Sequence, residues 1–82
     1  DLIHRQALQF IKDHRSQPFF AMLTYTLPHA EINLPHDSIY QLYEDKFEEQ
    51  PYDKPGSYYR SEKPHASFAA MVSRLDMYVG DI

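Results

Sequence analysis

The chain contains no cysteine. That excludes a disulfide framework, a zinc–thiolate site and a thiol nucleophile, and it leaves the compartment undecided. Positive charge is also scarce: the net charge is −4 and no cluster of Lys or Arg stands out, so nucleic acid is not expected as a partner. No apolar run approaches membrane-spanning length and nothing resembles a signal peptide, so no membrane span is expected. Gly/Ser-rich low complexity and internal repeats are absent. Five histidines are present, yet no pair falls at i, i+4 on an expected helix and H-E-x-x-H does not occur, which excludes a zincin. No Ser/His/Asp arrangement, glycine-rich phosphate loop or pair of carboxylates can be assembled. The acidic run Glu44–Glu49 lacks the spacing of a calcium loop and reads as a solvated helix face.

What remains is enough for one small domain: 82 residues, 43% apolar, with aromatics at 15%. The organising stretch is Pro18–His29. Residues 19 to 23 are apolar without a break, and Thr24, Tyr25 and Thr26 extend them with β-favouring types. An unbroken run this short predicts a strand covered on both faces, as at the centre of an α/β sheet. Pro18 suits its first position and Leu27-Pro28 ends it. His29 is the first ionisable group beyond that end, where ligands gather in open α/β sheets, and is the candidate site residue. No second strand of comparable quality is present. Unpaired buried backbone groups at about 1–3 kcal/mol each would consume a stability of roughly 5–15 kcal/mol. The strand is therefore expected to sit between strands of a larger protein, or to complete its sheet with another copy. A first residue other than Met and a last residue inside a helical pattern fit the same expectation: residues 1–82 form an internal segment with no domain boundary.

Helices surround the strand. Ile3, Ala7, Phe10 and Ile11 predict an amphipathic helix over residues 2–15, with Asp1 as N-cap and Lys12, His14 and Arg15 at the end favoured by the dipole. Asp37 and Ser38 start a second helix, carried by Ile39, Leu42, Tyr43 and Phe47 and closed by Gln50-Pro51. Residues 51–63 form a long connection whose tyrosines lie against a surface. Pro64 opens a third helix whose apolar stripe is Phe68, Met71, Val72, Leu75, Val79 and Ile82. Within it Gly80 marks a close approach or the helix end, and Asp76 reads as a structural or exposed carboxylate. His4 and His14 are expected on the solvated side of the first helix, and His36 and His65 at helix starts in loops.

Phe10-Ile11, Pro18-Phe19-Phe20, Pro28-His29, Ala69-Ala70-Met71 and Leu75-Asp76…Val79-Gly80, in this order, resemble the middle of the formylglycine-dependent sulfatases of the alkaline phosphatase superfamily. The resemblance spans nearly the whole chain. It implies an α/β fold, here a piece of an alkaline-phosphatase-like sandwich with about three helices and one buried central strand. It implies a parent enzyme, arylsulfatase-like, that hydrolyses sulfuric esters and is periplasmic or secreted. The formylglycine, made within C/S-x-P-x-R, and the calcium ligands would lie outside this segment, so no metal site is expected within it. One role carries over: His29 would contact the sulfate near the leaving ester oxygen, where a donor stabilises developing charge or supplies a proton. Many members have proline two residues after this histidine; here Glu31 stands there, which points to a different substrate-side loop with Glu31 as a possible pocket residue.

The isolated segment is expected to be inactive and to self-associate through its apolar strand. Two alternatives accompany the sulfatase expectation. One is a phosphatase or phosphonate-ester relative in the same superfamily. The other is a small non-catalytic module whose apolar strand pairs with a partner by β-augmentation.

Overall fold

A computed structural model describes residues 1–56 and 58–82. It contains three helices in chain order, α1 (Leu2–His14), α2 (Ser38–Gln41) and α3 (Pro64–Asp81). The only β pairing among the described residues is an antiparallel bridge between Tyr52 and Ser61, which closes the 51–63 connection on itself. No helix among them is long and apolar enough to cross a membrane.

Each helix starts where local chemistry provides a cap. The Asp1 side chain accepts from the N–H of His4 at 3.1 Å. Asp37 accepts from Ile39 and Tyr40, at 3.1 and 3.3 Å, so Asp37 rather than Ser38 caps α2. Helix α3 has no side-chain cap from Lys63, and Pro64 at its first position has no N–H to satisfy. The next two donors go to a residue distant in sequence: Glu49 accepts from His65 N–H at 3.0 Å and from Ala66 N–H at 2.8 Å. Glu49 thus belongs to a partly buried helix cap, not to the solvated acidic face expected for it.

Helix α2 stops at Gln41 and does not continue to Gln50 as its apolar stripe predicts. After Gln41 the chain turns through short bonds, Tyr43 N–H to Tyr40 O at 2.9 Å and Lys46 N–H to Tyr43 O at 3.0 Å. The turn brings the acidic run to the start of α3, where Lys63 Nζ donates to Asp45 at 3.0 Å and Glu49 meets the helix terminus.

Packing is concentrated where α2 crosses α3. Tyr40, Ala66 and Ala70 are buried together, with Leu34, Ile39 and Tyr43 against them. The two alanines are fully buried, and their small side chains let the Tyr40 ring lie close to the α3 backbone. Tyr43 and Ser73 share a hydrogen bond of 2.6 Å across the same contact. Arg74 of α3 donates to Asp37, joining the α2 cap to the middle of α3. The Arg74 guanidinium holds the Asp37 carboxyl below its usual range, and Asp37 in turn raises Arg74. Burying Met71 beside this contact is worth about 1.5–3 kcal/mol.

Helix α3 therefore buries Ala66, Ser67, Ala70, Met71 and Tyr78. Of the stripe expected to face the core, only Met71 is buried. Phe68, Val72, Val79 and Ile82 are exposed. Gly80 lies one residue from the helix end, and a Cβ there would meet nothing within 4 Å. Asp76 is exposed.

Residues 18–27 carry no ladder, and the burial expected on both faces is not met within this chain: Phe20 is 86% and Met22 75% exposed. Among the described residues no strand pairs with this run; Phe19 meets the Phe10 ring of α1 edge-on at 5.7 Å, while Phe20 and Met22 stay open. Three helices are present, and no sheet is formed among the described residues. The molecule extends over 50 × 27 × 15 Å with a radius of gyration of 15.8 Å. A self-contained domain of this length would have about 12 Å. Its accessible surface of 6402 Å² likewise exceeds the roughly 5,100 Å² expected for a folded chain of this mass.

Candidate functional site

His29 lies just past the end of the apolar run, exposed, after Leu27-Pro28, whose peptide bond is cis. Its ring is fixed on one side. The backbone N–H of Glu31 donates to Nδ1 at 2.9 Å. A lone pair is therefore required on Nδ1, and the proton of the neutral ring is on Nε2. The site thus presents an N–H donor outward from a ring held by its own loop. The Tyr58 ring stands edge-on to it, with centroids 6.5 Å apart and planes at 81°.

An open depression of about 340 Å³ lies beside the imidazole, lined by Thr26, Leu27, His29, Glu31, Asn33 and Met71. Met71 brings α3 to this surface, so the loop carrying His29 and the longest helix share one site. Glu31 is half-buried. Its Oε2 accepts from the N–H of Tyr59 at 3.3 Å, which ties the loop of residues 28–37 to the 51–63 connection. Its Oε1 is buried with no hydrogen-bond partner among the described residues. The structure thus brings His29, Glu31, Tyr58 and Tyr59 into one neighbourhood, with Glu31 bonded to both loops.

The other histidines have different environments. His65 lies beside the Glu49 cap, with Nδ1 3.4 Å from the carboxylate. His36 stacks on Tyr40, centroids 3.9 Å apart. His14 closes α1, Nδ1 2.8 Å from the carbonyl of Phe10. His4 departs most from the solvated position expected for it. It is 5% exposed, with Nδ1 2.7 Å from the Tyr25 hydroxyl and Nε2 2.9 Å from Asp81 Oδ2. A signal was available in part, because His4 stands three residues before Ala7, and both lie on the face of α1 that is buried. Its partners, 21 and 77 residues away, left no local trace.

Among the described residues, no three His, Asp or Glu side chains converge closely enough to hold a metal ion. What the arrangement can do is narrower: it offers one oriented N–H donor beside an open, partly apolar surface.

No protein-family model matches the chain, and no curated protein matches it.

Proposed function

We propose that the chain is an internal segment of a sulfatase-type hydrolase, and that His29 donates from Nε2 to the ester oxygen that departs with the alcohol. The observation that carries this is the Glu31 N–H held at Nδ1, because it leaves the opposite nitrogen protonated, outward and free to donate. As the S–O bond lengthens, negative charge grows on the bridging oxygen. A fixed N–H is then worth more than in the ground state, which is the condition for catalysis. With Nδ1 already accepting from Glu31, the neutral ring acts as a hydrogen-bond donor and keeps its proton, and the departing alkoxide or phenoxide takes its proton from solvent. In the parent enzyme a formylglycine would supply the nucleophile and a calcium ion would polarise the sulfate. Both belong to residues outside this segment.

The finer architecture follows from the same proposal. Residues 19–26 would be a central strand of an alkaline-phosphatase-like sandwich, paired on both edges by strands of the parent. The bare apolar run, the extended shape and the excess surface support this, because all three are what remains when a sheet's neighbours are removed. Exposed apolar strand residues equally suit the β-augmentation module, and the flanking reading frame separates the two. A frame of several hundred residues with C/S-x-P-x-R upstream supports the hydrolase. A protein that starts near Asp1 and stops near Ile82 supports the module.

The direct test is turnover of an aryl sulfate by the full-length protein. His29→Ala is expected to lower kcat by about 10²–10³-fold. Unchanged turnover in that variant refutes the role. The 82-residue chain alone is expected to show no turnover.

A further inference from the structure

We propose that His4 is a positioning residue that fixes the end of the segment carrying His29; this rests on the role proposed for His29 above. The imidazole of His4 sits at a three-way junction. Tyr25 of the apolar run approaches one nitrogen at 2.7 Å, and Asp81 at the end of α3 approaches the other at 2.9 Å. The ring stacks on Tyr78 of α3, centroids 4.1 Å apart at 18°, and Tyr25 lies 5.3 Å from that same Tyr78 ring.

The direction of each bond can be deduced. A carboxylate only accepts, so His4 Nε2 carries a proton and donates to Asp81. In the neutral ring Nδ1 then accepts, and the Tyr25 hydroxyl donates to it. Both nitrogens are satisfied in one tautomer, which is the condition for burying an imidazole at low cost. Bulk alone would not select histidine here, since any flat apolar ring could stack on Tyr78. The polar edges do something a phenyl ring cannot: they set the position of Tyr25 relative to α3.

Tyr25 matters because of its place in the chain. Among the described residues, it makes the only side-chain hydrogen bond between residues 18 and 28. The residues before it are largely exposed, and Phe19 touches α1 only through the edge-on Phe10 ring, a non-polar contact that does not fix register. Thr26, Leu27 and His29 follow it directly and line the depression that Met71 of α3 also lines. His4 therefore references the His29 loop to α3 at one end, as Met71 does at the other. Displacing a reacting group by about 1 Å can cost roughly 10²-fold in rate.

The test is a double-mutant cycle in the full-length enzyme with an aryl sulfate as substrate, using His4→Phe, His29→Ala and the pair. His4→Phe keeps a ring on Tyr78 and deletes both bonds. It is expected to lower kcat by about 10–100-fold with KM changed less than about threefold. In the His29→Ala background the same substitution is expected to cost less than about twofold, because there is no imidazole left to misplace. An equal loss in both backgrounds overturns the positioning role while leaving that of His29 intact. Unchanged kcat in His29→Ala itself overturns the function proposed for the loop, and this inference with it. If His4→Phe does not fold, Tyr25→Phe, which removes one hydroxyl, takes its place in the cycle with the same criteria.

Discussion

Glu49→Ala is the substitution whose effect the structure specifies best. The Glu49 carboxylate lies 16 and 17 residues from the two amides it caps and is 11% exposed. It accepts from both of the first N–H groups that α3 has to offer after Pro64. Truncation to alanine leaves those donors without a partner at the positive end of an 18-residue helix. Loss of a side-chain cap costs about 1 kcal/mol, and loss of an anion against the helix dipole about a further 1 kcal/mol in a partly buried setting. The sum, about 2 kcal/mol, corresponds to roughly a thirtyfold change in an opening equilibrium at 1.4 kcal/mol per decade. The assay is hydrogen exchange resolved at single amides. His65 and Ala66 N–H are expected to exchange about thirtyfold faster in Glu49→Ala, with the middle of α3 changed much less. Glu49→Gln keeps one accepting oxygen and is expected to fall between. Acceleration below about threefold at both amides would refute the cap as an energetic contact.

Four further outcomes follow from the packing. The Asp37 carboxyl is held below its ordinary value of 3.8, chiefly by Arg74. Its contribution to stability is therefore complete above that value and is lost as the pH falls through the depressed one. An acid titration of unfolding is expected to show this loss in the wild type and not in Asp37→Asn, which keeps a good N-cap and loses the ion pair. Ala70 is fully buried under Tyr40, so Ala70→Leu is expected to cost about 1–3 kcal/mol through overpacking, read by denaturant midpoint. The exposed run is expected to make the 82-residue chain self-associate, and Phe20→Lys with Met22→Lys to lower its sedimentation coefficient towards the monomer's. A monomeric wild type at tens of micromolar would contradict that. Tyr43→Phe removes one hydroxyl from the bond to Ser73 and is expected to cost about 1 kcal/mol, read by thermal unfolding.

The sequence by itself determined what depends on near neighbours. Asp1 and Asp37 cap helices because each stands just before a run of helix formers, and Pro64 opens α3 because its missing N–H is tolerated there. Helix α1 forms where the periodicity of Ile3, Ala7, Phe10 and Ile11 places it, but of these only Ala7 is buried, and Ile3 and Phe10 are exposed. The unbroken run at 19–23 predicts a strand covered on both faces, and in the fold it forms no ladder and leaves Phe20 and Met22 exposed.

Tertiary structure decided the rest, for reasons that act at a distance. The more apolar stripe of α3 is left open, while the face carrying Ala66 and Ala70 is buried, since close approach of Tyr40 requires small side chains and not greater hydrophobicity. Helix α2 ends at Gln41, and Glu49 beyond it caps the start of α3, contacts 16 and 17 residues apart that no short window of sequence contains. His4 could be buried only because Tyr25 and Asp81 meet its two nitrogens. At the candidate site, order along the chain located His29 and Glu31. Which nitrogen of His29 faces outward was set by the folded backbone of the loop, through a single amide proton that the sequence does not reveal.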